Sequence, residues 1–192
     1  MLTFSLKSKV QGFSLIEMMV SIAIIAVLAS MASSSYKAWV QNTRIRTAAE
    51  SIQNGIQVAR AEAVKRNSPV QFDLRSTHSA WTVCTRPAGL GSCPADDATT
   101  IQSRAAGEGS SADIAVTAVD AGPYVFNSFG AMISPAPSAA DGLIRIGVDV
   151  SSSVLSAAES RNLNIIIGVG GSVRMCDPDS GLSATDPRKC PA

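Results

Sequence analysis

Apolar residues run almost unbroken from Phe13 to Ala32, then thin to a stripe, and later alternate with polar ones. The first stretch is apolar all round and long enough for roughly 30 Å of hydrocarbon. Beyond it Ile45, Ala48, Ala49, Ile52, Ile56, Ala59 and Ala63 recur at spacings of three and four, the period of an amphipathic helix. Together the two patterns predict one nearly continuous helix from about Phe13 to about Arg66, roughly 80 Å long at ~1.5 Å per residue. Gly55 lies inside the second part, costs on the order of 1 kcal/mol against Ala, and so points to a packing requirement. Asn67-Ser68-Pro69 ends the helix, because a proline disfavours helical geometry in the residue before it.

After Pro69 the period falls to two. Val70-Leu74, Ala80-Cys84, Ile114-Val119, Tyr124-Phe129, Leu143-Val150 and Leu163-Val169 read as strands, with a short one at Ser172-Cys176. The clearest is Leu143-Val150, where Ile144, Ile146, Val148 and Val150 face one way and Arg145, Gly147 and Asp149 the other. Arg86 to Ser111 is rich in Gly, Ala, Ser and Asp and reads as hairpin tip and mobile loop. Ser134 to Asp141, with Pro135 and Pro137, is a second loop. A long helix followed only by strands implies an α+β arrangement, an antiparallel sheet packed on the helix's apolar stripe.

Charge and cysteine usage add direction. Met1 to Gly12 carries Lys7 and Lys9 and no acid, a short basic leader that favours a cytoplasmic N-terminus and an exported C-terminus. The whole chain has a formal charge of +1, and losing those two lysines leaves −1, so there is no general attraction to nucleic acid or anionic lipid. In an exported domain an even count of cysteines favours disulfides. The four here allow three connectivities, and the layout favours the local pairs Cys84-Cys93 and Cys176-Cys190. Zinc has the wrong spacing and His78 is the sole histidine, so no metal site is expected.

Familiar catalytic equipment is missing: no H-E-x-x-H, no nucleophile elbow and no phosphate loop. Gly168-Val169-Gly170-Gly171 follows a strand but opens no predicted helix, so neither an enzyme nor a cofactor is expected. Asp96, Asp97 and Glu108 lie in a loop and read as solubilising. One acid breaks the opening apolar run. Glu17 inside a membrane-compatible helix costs roughly 2.5–3.5 kcal/mol on insertion scales, which points to a function and a partner.

Gly12-Phe13-Ser14-Leu15-Ile16-Glu17, behind its basic leader, resembles the processing site of type IV pilin-like prepilins, with Ser14 for the more common threonine. The stretches Asn42-Thr43-Arg44-Ile45-Arg46 and Gln57 to Arg66 resemble the helical signature of the FimT/FimU and GspH minor-pilin group, and Arg174-Met175-Cys176-Asp177 and Pro187-Arg188-Lys189-Cys190 agree with that group's C-terminal end. The resemblance implies a type IV pilin-like fold. Residues 1–12 would be a leader removed by prepilin peptidase between Gly12 and Phe13, and the Phe13 amine would be N-methylated. Residues 13–35 would hold the chain in the bacterial inner membrane as a single pass, and 36–192 would form the exported domain. Glu17 would meet the Phe13 ammonium of a neighbouring subunit.

The implied function is a minor pilin that helps to start or cap a pilus, with other minor pilins, the major pilin and the inner-membrane assembly platform as partners. A GspH-like subunit of a type II secretion pseudopilus is an alternative. A DNA-uptake pilin is another, since some FimT-type pilins bind DNA through a C-terminal G-R-x-R motif. Here the matching stretch is Gly171-Ser172-Val173-Arg174, with Ser172 in place of the first arginine. The bases Arg174, Arg188 and Lys189 are balanced by Asp177, Asp179 and Asp186, which leaves few contacts for phosphates.

Overall fold

The computed structural model of the chain describes residues 12–75, 78–86, 91–94, 98–108 and 111–191, with the backbone alone at 31–34. It forms two compact units, Met1–Lys37 and Ala38–Ala192. Helix α1 (Leu15–Arg66) contributes to both.

In the first unit the helix begins two residues later than the apolar pattern suggests, because Ser14 is its cap. The Ser14 hydroxyl accepts the N–H of Glu17 at 3.3 Å and its carbonyl accepts the N–H of Met18 at 3.2 Å. Ser14 and Glu17 thus stand at the two ends of an S-x-x-E capping sequence, and the acid falls where the helix dipole favours negative charge. From Phe13 to Leu28 the large apolar side chains are exposed, from 51% at Met18 to 80% at Phe13. Serines within the run bond back to their own helix: Ser21 to the Glu17 carbonyl and Ser30 to the Val27 carbonyl, each at 2.7 Å. Such back-bonding leaves no hydroxyl to be hydrated, which suits an apolar surrounding. Taken as Leu15–Ser30 and Ser35–Arg66, neither piece alone is long and apolar enough to cross a membrane; the two together meet that requirement by length and composition.

In the second unit the stripe residues Ile45, Ala48, Ala49, Ile52, Ile56, Ala59 and Ala63 are all fully buried. The helix stops through two devices. Asn67 takes a left-handed φ of 48°, and the N–H groups of Asn67 and Ser68 return to the carbonyls of Val64 and Ala63, both at 3.2 Å. This is a Schellman closure with asparagine in the usual glycine position, and Pro69 follows it.

The strands are β1 (Val70–Leu74), β2 (Trp81–Thr85), β3 (Thr100–Arg104), β4 (Ile114–Ala118), β5 (Tyr124–Phe126), β6 (Met132–Ser134), β7 (Leu143–Val150), β8 (Leu163–Gly168) and β9 (Val173–Cys176). They form two antiparallel sheets in place of the single sheet expected, ordered β3-β2-β1-β5-β6 and β4-β7-β8-β9. Ile52 and Ile56 of α1, Phe72 of β1, and Ile146 and Ile165 of β7 and β8 belong to one buried cluster, so both sheets share a core with the helix. On β7 burial alternates residue by residue, as its sequence does.

Two strands have no counterpart in the sequence reading. β3 lies inside the presumed loop Arg86 to Ser111; it is an edge strand with exposed Gln102 and Ser103, so no apolar face marks it. β6 is three residues long between Gly130 and Pro135. β5 ends at Phe126 instead of Phe129 because Asn127 starts a turn, its side chain accepting the N–H groups of Phe129 and Ala131 at 2.9 and 3.0 Å.

Candidate functional site

The N-terminal features lie at the exposed start of α1. Gly12 is exposed, and a Cβ built on it would meet nothing within 4 Å. Packing therefore does not require a glycine there, which moves the reason for it outside the fold. Phe13 follows at 80% exposure. Glu17 is exposed in the first turn of α1, and among the described residues no ion pair engages its carboxylate. Lys7 and Lys9, and the leader as far as residue 11, lie outside the described residues.

Two disulfides shape the second unit. Cys84–Cys93 closes nine residues with Cα atoms 5.8 Å apart, and Cys176–Cys190 closes fourteen with Cα atoms 4.9 Å apart. The first is pinned to β1: the buried Asp73 carboxylate accepts the N–H of Cys93 and the side-chain amide of Gln71, which also reaches the Gly91 carbonyl at 2.9 Å. Residues 87–90, 95–97 and 109–110 of the segment Arg86–Ser111, read from the sequence as hairpin tip and loop, lie outside the described residues, Asp96 and Asp97 among them. The second disulfide ties the tail to β9, where the N–H of Asp177 reaches the Arg188 carbonyl at 2.7 Å and the N–H of Cys190 reaches the Asp177 carbonyl at 2.9 Å.

The candidate phosphate contacts fall on β9 and this tail, in unequal states. Arg188 grips both carboxylate oxygens of Asp186, at 3.1 and 2.8 Å, and that pairing first, with the Arg188 backbone N–H second, holds Asp186 down to about 2. Lys189 donates to the Leu182 carbonyl at 2.6 Å. Of the three, only the exposed Arg174 side chain has no polar partner among the described residues. Beside them a groove of about 440 Å³ is lined by the apolar Leu163 and Met175, by Arg46, Arg161 and Arg188, and by the acid Asp177. Asn42, which also lines it, donates to the Glu159 carbonyl at 3.0 Å and accepts the Arg161 N–H at 2.8 Å.

His78 Nδ1 lies 3.0 Å from the Ile114 carbonyl, and no group of three or more His, Cys, Asp or Glu side chains among the described residues is placed to hold a metal. The sequence reading missed two features that matter here. The Ser14 cap is readable as serine three residues before an acid. A turn at Asn127–Gly130 that projects Phe129 is signalled only by its Asn and Gly.

The pattern of the family described as type II transport protein GspH matches residues 48–171, more than half of the chain. The prokaryotic N-terminal methylation motif matches residues 7–33. Among solved structures, the type IV minor pilin FimU of Pseudomonas aeruginosa is similar at 14% identity and a TM-score of 0.51, over 68% of this chain and 87% of that one. The minor pseudopilin EpsH from the type 2 secretion system of Vibrio cholerae aligns at 11% identity and a TM-score of 0.48, over 71% and 99%. No curated protein matches the chain.

Proposed function

The chain belongs to the type II transport protein GspH family, and from that premise we propose that it is a minor pilin, a structural subunit that helps to start or cap a type IV pilus. One observation carries the reading. From Phe13 to Leu28 the chain is sheathed in exposed apolar side chains and bears one carboxylate, Glu17, that no ion pair among the described residues engages. Such a surface needs lipid before assembly and other apolar helices after it.

Prepilin peptidase hydrolyses the Gly12–Phe13 bond and frees an ammonium at Phe13, which becomes N-methylated. The helix of residues 13–35 holds the subunit in the inner membrane until the assembly platform draws it into the filament. As helices slide together, Glu17 finds the Phe13 ammonium of the neighbour. Desolvating each ion costs several kcal/mol, so pairing offsets a penalty and selects the register in which both are matched. The second unit then lies outside, with the Arg86–Ser111 segment and the disulfide-closed tail as contact surfaces for other minor pilins and the major pilin. Replacing Arg86–Ser111 with a short linker should impair co-purification with minor pilins; unchanged complexes would sink that role.

A second reading, a minor pseudopilin of a type II secretion system, is favoured by the family's description. DNA uptake has weaker support, because Arg188 and Lys189 are already engaged. A deletion strain scored for surface pili, secreted enzymes and DNA uptake separates the three. Loss of pili alone supports the minor pilin. Intact pili with lost secretion would move the chain to the pseudopilus, and intact pili with lost uptake would make it a DNA receptor.

A further inference from the structure

The chain has two tryptophans and two tyrosines. One of each, Trp81 and Tyr124, lies in the core at 1% and 0% exposure. The other two, Tyr36 and Trp39, are 66% and 64% exposed and both follow the apolar run directly. Neither belongs to the stripe from Ile45 to Ala63 that packs against the sheets. Aromatic side chains bury about 150–250 Å² each when fully covered, and these two leave most of that surface open. The core does not account for their positions.

Their place along the chain supplies the reason. Leu15–Ser30 is about 24 Å long at ~1.5 Å per residue, short of roughly 30 Å of hydrocarbon. With Phe13 and Leu15 at one edge of the hydrocarbon, the other edge falls at about residues 33–35. Tyr36 comes next, and Trp39 lies about 6 Å of helical rise beyond Ser35. Tilting the helix only brings it nearer to the membrane. The polar layers of a bilayer, the difference between its ~30 Å core and ~40–45 Å total, are about 5–8 Å deep on each side. Both rings fall within that depth.

The chemistry suits the place. Tyrosine and tryptophan combine an apolar ring with one polar group, so in the headgroup layer the ring is covered while the O–H or N–H stays wet. Between them Lys37 is exposed and is the first base after Lys9. A lysine there lays its apolar stem along the hydrocarbon boundary and keeps its ammonium among lipid phosphates.

We propose that Tyr36, Lys37 and Trp39 are an interfacial anchor: they bind the phospholipid headgroup layer on the exported side and set the depth of the unassembled subunit. This rests on the reading of residues 13–35 as a membrane anchor and adds what fixes its position. A span held at one end has a defined depth and tilt, which places Glu17 near the opposite surface before assembly. The test uses the full chain in phosphatidylcholine vesicles, with Trp39 as its own reporter. Trp81 is buried and supplies a constant background, which Trp39→Phe leaves alone. A nitroxide near the lipid headgroup should quench Trp39 at least about threefold more than one near the acyl-chain end, and Trp39→Phe should abolish the difference. Depth is read separately. The native cysteines are all in disulfides, so a fluorescent label on Ile24→Cys is unique. Its quenching ratio between the two nitroxides should change at least about twofold when Tyr36 and Trp39 both become serine. Equal quenching of Trp39 by the two labels, or an unchanged ratio at Ile24→Cys, would overturn the proposal. Trp39 emission shielded from aqueous iodide yet untouched by either nitroxide would place the ring against protein and overturn it equally. Chains that fail to float with the vesicles would overturn the membrane-anchor reading as well. Chains that float but show no headgroup preference overturn this proposal alone.

Discussion

Gly55→Ala pits two well-defined effects against each other. In an exposed helix the change stabilises by about 1 kcal/mol, because alanine is the better helix former. Here the added methyl carbon would lie 2.7 Å from Cε2 of Phe72 and 2.9 Å from Cδ2 and Cε2 of Trp81. Carbon atoms rest at about 3.5–4.0 Å, so two rings must each retreat by roughly 1 Å. Neither has room. Trp81 is tethered by its indole N–H to the Ser51 hydroxyl at 3.0 Å, and Phe72 is wedged between Trp81 and Tyr124 at centroid distances of 5.8 and 6.1 Å. Overpacking of this kind costs typically about 1–3 kcal/mol, and two interlocked aromatics belong in the upper part of that range. The net expectation is a loss of about 1–2 kcal/mol, or roughly 2–8 °C in Tm for a domain of this size. Thermal denaturation of the full chain in detergent, followed by near-ultraviolet circular dichroism, reads it. Pairing the change with Phe72→Leu should recover about 1 kcal/mol in a double-mutant cycle, since the ring edge nearest the methyl is gone. A Gly55→Ala chain as stable as wild type, or more so, would refute the reasoning and show that propensity outweighs the close approach.

Removing the tail bridge with Cys176→Ser and Cys190→Ser should cost roughly 3 kcal/mol in the chain-entropy model, read as a lower denaturant midpoint; an unchanged midpoint would contradict it. Burial, and then the Asp120 charge, pushes the Tyr124 phenol well above its ordinary value, while its O–H donates to the Asp120 carbonyl at 2.9 Å. A raised folded value means its contribution is complete below about pH 10 and is lost as the pH rises further. Tyr124→Phe should therefore flatten the alkaline fall in stability while costing about 1 kcal/mol at neutral pH, and an unaltered alkaline profile would count against it. Asn42→Ala removes both bonds that fasten Glu159 and Arg161 to α1, so the Arg161 amide should exchange with solvent markedly faster; unchanged exchange would rule out that fastening.

The helix and the best strands were legible because burial there follows a simple period. All seven stripe residues from Ile45 to Ala63 are fully covered, and β7 alternates along its whole length. Gly55 was legible as a packing glycine from its helical position, although the rings that crowd it come from β1 and β2 and carry no local signal. Cysteine layout pointed to nearby partners, and the two disulfides join nearby residues. What stayed hidden depends on edges and on pairing at long range. β3 buries little and reads as loop, and β5 returns to pair with β1 across some fifty intervening residues, which splits the strands into two sheets. The projection of Phe129 follows from Arg60, Gly130 and Gly171 meeting in space, and no stretch of sequence contains all three.

The central claim is that Glu17 acts in assembly and not in anchoring or processing. Its direct test is the amount of a Glu17→Ala chain found in sheared surface filaments relative to the membrane pool, with leader removal scored on the same samples. The account predicts normal removal of residues 1–12 and a filament share reduced at least about tenfold, as expected when one buried ion is left unpaired at a cost of several kcal/mol. Incorporation at the wild-type level would contradict it.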